Sequence, residues 1–204
     1  MEAAEKRLMT ASEYLAWERE ADVKHEFLGG EVFSMAGGSA RHSRLAVRIA
    51  SKLEDKLSGH PCQVFNSDMR LKVEELDFYA YPDVQVACEP RRFEDSTRDV
   101  LLNPKIIIEV LSPSTASWDR GGKFWHYRHI PSFEEYVVVS QDAWLIEHHT
   151  RQPNGGWLLE VVEGEDAVLQ LASIGLDLPL AEIYGGTDLP PDAKPSAPTQ
   201  TRKP

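Results

Sequence analysis

The run KIIIEVLS, residues 105–112, constrains the fold more than any other stretch of the chain. Ile106, Ile107, Ile108 and Val110 are β-branched. Such side chains lose rotamer freedom in a helix and pack well on a pleated surface, so the run reads as a buried strand. Late in it stands one carboxylate, Glu109. A second apolar run, YAYPDVQVACEP, carries Asp83 near its start. Pro82 cannot donate to a strand ladder, which puts Asp83 at a strand start or a local irregularity. If the two runs are adjacent strands, the acids either brace a sheet edge or meet at its end and hold a metal ion.

Around these runs the pattern alternates between helix and strand. Thr10 and Glu13 form a capping box at the head of TASEYLAWEREA. Gly29 and Gly30 suit a tight hairpin between Phe27-Leu28 and Val32-Phe33. Leu45, Ile49, Leu53 and Leu57 recur every fourth residue and predict one buried helical stripe. CQVFNSDMRLKV and FYAYPDVQVA read as strands, as do EEYVVVS, AWLIEHHT, GWLLEVVEG and AVLQLASIG. Between them, Lys123, Phe124, Tyr127 and Ile130 keep helical spacing, with Gly121 and Gly122 weakening the helix start.

With 204 residues the chain can bury about 70% of its unfolded surface and needs no staple to fold. A single domain over residues 1–186 is expected, followed by a proline-rich flexible tail, 187–204, with little apolar surface to offset ordering entropy. Cys62 and Cys88 form no disulfide framework and no paired metal motif, which favours a reduced, cytoplasmic location. No apolar run approaches bilayer length, so no membrane association is expected. The net charge of −11 argues against an extended nucleic-acid surface, although a bound divalent ion reverses local charge.

Asp83 and Glu109 supply the oxygen ligands that Mg²⁺ prefers, with Mn²⁺ as the second choice, and a substrate phosphate can complete the shell. Such an ion polarises phosphorus, stabilises developing negative charge and helps create hydroxide. A cation is expected nearby. Residue 111 shares a strand face with Glu109 but is leucine, so Lys123, early in the next helix, is the substitute; its bland reading is an exposed helix residue. Asp68 either supports the site or satisfies backbone groups at a bend with Asn66 and Ser67. His42 can contact phosphate or move a proton, or sit on a helix surface. Arg41, Arg44 and Arg48 form a small basic patch that can grip phosphates. His148 and His149 point to opposite faces of one strand and cannot share an ion. Trp125 and Tyr127 fit packing better than base stacking.

ASEYLAWEREADVKHEFLGGEVFSMAGGSARHSRL, YPDVQV, IIIEVLSPST and DRGGKFWHYRHIPSFEEYVVV together resemble the Uma-type family of bacterial restriction-endonuclease candidates, itself similar to the PD-(D/E)XK nucleases. The resemblance spans roughly residues 9–184. It implies a restriction-endonuclease-like α/β fold with a mixed central sheet flanked by helices, Mg²⁺-dependent cleavage of DNA phosphodiesters and a homodimer. It assigns the acidic pair to Asp83 and Glu109, and a displaced lysine to Lys123 because Leu111 occupies the usual position. It also suggests a third acid from an N-terminal element, Glu31 ahead of Glu26; both have an ordinary reading as edge-strand charges. Two alternatives stay open: an inactive nuclease-like binding or assembly module, and a metal-dependent hydrolase of another phosphorylated substrate.

Overall fold

The computed structural model describes residues 8–35 and 37–194. It begins with helix α1 (Ala11–Glu18), the hairpin of β1 (His25–Leu28) and β2 (Glu31–Ser34), and the long helix α2 (Ala40–Lys56). Six strands follow: β3 (Cys62–Asn66), β4 (Arg70–Val73), β5 (Phe78–Ala80), β6 (Val84–Cys88), β7 (Val100–Leu101) and β8 (Ile106–Val110). A π-helical turn (Trp118–Lys123) runs into α3 (Phe124–Tyr127). The chain continues through β9 (Glu135–Val139), β10 (Leu145–Arg151), β11 (Trp157–Glu163), β12 (Val168–Leu171), β13 (Leu176–Pro179) and α4 (Leu180–Tyr184).

Local chemistry sets several of these boundaries. Thr10 caps α1 with both halves of the expected box in place. Gly29 and Gly30 both take positive φ, the backbone region that a two-residue hairpin turn demands and that only glycine enters without strain. The predicted stripe of α2 is buried at Leu45, Ile49 and Leu53, with Leu57 at the C-cap. Each such side chain contributes about 1.5–3 kcal/mol. A charge at Ile49 would break that face.

Six strands form one mixed sheet in the order β11-β10-β9-β8-β6-β3, with β8 and β9 parallel and the other neighbours antiparallel. A five-stranded sheet, β2-β1-β5-β4-β7, and the ribbon β12-β13 complete the architecture. On one face of the larger sheet, Val84, Val86, Ile106 and Ile108 pack with the α2 stripe and with Leu180 and Ile183 of α4. On the other face, Ile107, Leu111, Tyr136 and Val138 pack with Leu71 and Phe78 of the smaller sheet and with Tyr127 of α3. The fold is thus α/β, with mixed sheets flanked by helices. β8 lies inside it, and its five strand residues are all buried.

One sequence expectation is corrected. Cys62 and Cys88, read as unpaired, are direct partners across β3 and β6 and are joined as a disulfide. Register, not spacing, brings them together, so cysteine usage no longer argues for a reducing compartment. Within the stretch expected to be a tail, Leu189 is buried, and its carbonyl accepts from Trp144 Nε1 at 3.0 Å. Residues 195–204 of that tail lie outside the described residues. Among the described residues, no helix is long and apolar enough to cross a membrane.

Candidate active site

β6 and β8 are antiparallel neighbours, with Val84 opposite Ile108. One step further along, Asp83 meets Glu109. The bend after Pro82 ends the regular ladder there, and side chains replace its next rung. The Val110 amide donates to Asp83 Oδ2 at 2.8 Å, and the Asp83 amide donates to Glu109 Oε2 at 3.3 Å. Proline therefore does what its missing N–H predicts, and frees the acid beside it to turn toward its neighbour.

The π-helical turn supplies the cation. Its wider spiral runs Trp118 over Gly122, where a Cβ would fall 1.8 Å from the indole ring, so glycine is required. π turns recur at functional sites. This one directs Lys123 back onto β8, with Nζ 3.3 Å from Glu109 Oε1, and Leu111 stays in the apolar core. Lys123 also lies 2.9 Å from Glu26 Oε1 and 3.3 Å from Asp119 Oδ1. Tyr127 OH donates to Glu109 Oε1 at 2.9 Å, a role that the packing assignment of Tyr127 did not foresee.

His42 approaches from the first turn of α2. Ser39 caps that helix by accepting from the His42 amide, and the imidazole Nε2 stands 3.2 Å from Asp83 Oδ2. His42, Asp83, Glu109, Asp119 and Lys123 line one cavity of about 80 Å³, with Gly37 and Gly38 on one side and Ser112, Ser114 and Thr115 on another. The cavity is small and lined by ionisable groups, which suits a hydrated ion or the edge of a phosphate.

The electrostatics of the cavity are unbalanced. Glu109 is 3% exposed. Burial, opposed by Lys123 and reinforced by Asp83, Asp119 and Glu26, pushes its carboxyl up to about 8. Burial likewise raises Asp119, against the pull of Lys123 and Thr115. Burial alone would depress Lys123, yet the charges of Glu109, Glu26 and Asp119 outweigh it and raise its ammonium well above the ordinary range. The hydrogen bond to Asp83 raises His42.

Among the described residues, no group of three or more His, Cys, Asp or Glu side chains is arranged to hold a metal ion. The carboxylates of Glu109, Glu26 and Asp119 turn toward Lys123 instead. The donor set still fits a small hard cation in chemistry and charge. Four carboxylates surround one lysine and one histidine, and Asp119 Oδ1 and Glu26 Oε1 both face the Lys123 ammonium.

Other sequence candidates lie elsewhere or are engaged. Glu31 pairs with Leu28 at the turn end of the hairpin and does not line the cavity, whereas Glu26, ranked below it, contacts Lys123. Asp68 sits in the turn between β3 and β4, with Lys24 Nζ 2.5 Å away; its amide donates to Asn66, and it too is outside the cavity. The arginine patch is taken up by the C-terminal end of the fold. Arg41 forks onto Asp188, Arg44 donates to the Gly186 carbonyl, and Arg48 donates to the carbonyls of Ile183 and Glu182. Arg44 and Arg48 thus satisfy backbone carbonyls at and just past the C-terminal end of α4, where cations are favoured, and none of the three arginines lines the cavity. The residue that sequence reading missed is Asp119. Its one signal was the four-residue spacing to Lys123.

Comparison with known proteins agrees with this architecture. Residues 11–181 match the Uma2 family model, described as "Putative restriction endonuclease". Two proteins of Synechocystis sp. are close in sequence. "Uncharacterized protein slr1290" is 36% identical, covering 87% of this chain and 92% of that one. "Uncharacterized protein sll1609" is 38% identical, covering 84% and 97%. A crystal structure from Anabaena variabilis, titled as a "putative nuclease belonging to DUF820", superposes with a TM-score of 0.71, covering 86% of this chain and 97% of that one. At 18% identity, it establishes a shared fold. With a family model spanning most of its length and two full-length relatives above 30% identity, the chain belongs to the Uma2 family.

Proposed function

We propose that this chain hydrolyses DNA phosphodiester bonds with the help of a divalent cation. One observation carries the reading. Carboxylates from neighbouring strands, Asp83 and Glu109, face one small cavity, with the Lys123 ammonium 3.3 Å from Glu109. Asp83 and Glu109 would hold Mg²⁺, or Mn²⁺ in its place. When bound, such an ion supplies Lewis acidity and lowers the pKa of water.

The chain's own residues do the rest. Lys123 sets a fixed positive charge beside the phosphoryl oxygens, where negative charge grows during displacement. Tyr127 and the Asp83 amide hold the Glu109 carboxylate in orientation; the Val110 amide and His42 do the same for Asp83. The charged lining of the cavity takes a backbone phosphate edge. A homodimer, as the family resemblance implies, belongs to the same reading.

The test compares cleavage of linear, nicked and branched DNA by the native protein and Asp83→Asn, with Mg²⁺ or Mn²⁺. Loss of cleavage in the variant is expected; equal cleavage by both proteins overturns the assignment. A nuclease-like binding or assembly module without catalysis is the second reading. It draws support from the arginines engaged at α4 and from the net charge of −11. Calorimetric titration with Mg²⁺ or Mn²⁺ separates the two, because specific binding that disappears with Asp83 and Glu109 favours the site. If the cation binds and DNA is untouched, hydrolysis of another phosphorylated substrate is the reading to pursue.

A further inference from the structure

Asp119 is 2% exposed, lines the cavity and has no part in the mechanism above. Its surroundings give it one. Thr115 Oγ1 donates to Asp119 Oδ2 at 2.6 Å. That uses the only proton of the Thr115 hydroxyl, so the 2.8 Å bond to Ser112 must run from Ser112 to Thr115. By the same count, the 3.0 Å bond between Ser114 and Ser112 runs from Ser114 inward. The result is a one-way chain of hydroxyls from the exposed Ser114 to the buried carboxylate. The backbone at Asp119 is pinned as well, since Tyr136 OH donates to its carbonyl at 2.8 Å.

The other oxygen, Oδ1, faces Lys123 Nζ at 3.3 Å. An ammonium has three donors, and Lys123 meets three carboxylates from three elements: Glu26 on β1, Glu109 on β8 and Asp119 on the π turn. Remove one leg of that tripod and the flexible four-carbon stem can swing toward the remaining two.

We propose that Asp119 is a positioning residue that fixes the Lys123 ammonium beside Glu109, and that the hydroxyls of Ser112, Ser114 and Thr115 hold Asp119 in the required orientation. This rests on Lys123 having the electrostatic role assigned above. Thr115→Val deletes only the hydroxyl at nearly constant shape, whereas Thr115→Ser keeps it. Crystal structures of both variants and of Asp119→Asn, together with plasmid cleavage in Mg²⁺, decide the matter.

In Thr115→Val and Asp119→Asn, Lys123 Nζ is expected to move by about 1 Å or more, with kcat down about tenfold or more and KM unchanged. In Thr115→Ser, the ammonium stays in place and kcat stays within about twofold, since the hydroxyl that orients the carboxylate survives. An unmoved Lys123 in both disruptive variants overturns the proposal, as does failure of serine to restore it. Should Thr115→Val fold poorly, Ser112→Ala breaks the same chain from its outer link. If the native protein cleaves no DNA, the catalytic reading falls, and the position of Lys123 still decides this one.

Discussion

Glu109 and Glu135 stand on adjacent parallel strands, β8 and β9, and both are buried. Their surroundings drive them in opposite directions. Burial alone would raise Glu135, but hydrogen bonds with His148 and Ser173 outweigh it and hold its carboxyl below the ordinary range. His148 Nε2 lies 2.6 Å from one oxygen, and the Ser173 amide donates to the other at 2.6 Å. Glu109 shares one lysine with two other acids, borders a cavity and is pushed up to about 8. A satisfied buried acid ties elements together. An acid left short of compensation is held ready for a ligand, and that difference, more than burial itself, marks a site.

The contrast can be broken most forcefully at its structural half. His148→Ala leaves Glu135 buried without its partner and should cost about 3–5 kcal/mol in urea unfolding. A loss below about 1 kcal/mol would mean that the pair is not a tie at all. At the other half, Glu109→Gln and Asp83→Asn should each cut Mg²⁺-dependent cleavage by about 10² or more, the scale seen when a preorganised electrostatic partner is removed. Glu135→Gln, normalised to the folded fraction, should stay within a few-fold of native.

A pH series sharpens the distinction further. The raised Glu109 carboxyl keeps its proton in the fold up to about pH 8, whereas the unfolded chain loses it near the ordinary 4.5. In that window the folded state binds more protons, so Glu109 makes stability fall as pH rises, by at most about 1.4 kcal/mol per pH unit. Glu135 has the opposite sign. Its stabilisation is present above the unfolded value of 4.5 and is lost as pH falls through its lowered folded value. Denaturant midpoints for Glu109→Gln should therefore decline less steeply than native between about pH 5 and 8, the remainder coming from Asp119 and His42, which are also raised. An undiminished decline in the variant would remove Glu109 as a source.

The smallest effect concerns the arginines, where the same rule applies. Arg48 is satisfied by two backbone carbonyls, so it is read as structural. Arg48→Ala should cost about 1–2 kcal/mol of stability and leave the salt dependence of DNA binding unchanged. A shallower salt slope would return that stripe to the phosphate-binding surface.

Much of the fold was legible because it rests on local chemistry. The capping box at Thr10, the turn at Gly29 and Gly30, the α2 stripe and the β-branched run at residues 105–112 each declare themselves within a few residues. Asp83 and Glu109 were legible for the same reason, as single carboxylates set in apolar strands. The partners of other charges were not. Arg48 finds its carbonyls 134 and 135 positions away, and the cysteines meet across 26 residues through strand register. Asp119 was hidden because DRGGK reads as an ordinary polar helix start, while its burial depends on a π-helical turn packed against β9.

The amino-acid sequence by itself determined the strands, the helices and the acids they carry, since periodicity and backbone restriction act over a few neighbouring residues. Only the tertiary structure decided which of those acids would be satisfied and which would crowd around one lysine. Desolvation and charge pairing depend on the distance between side chains far apart in the chain, and no local pattern records it.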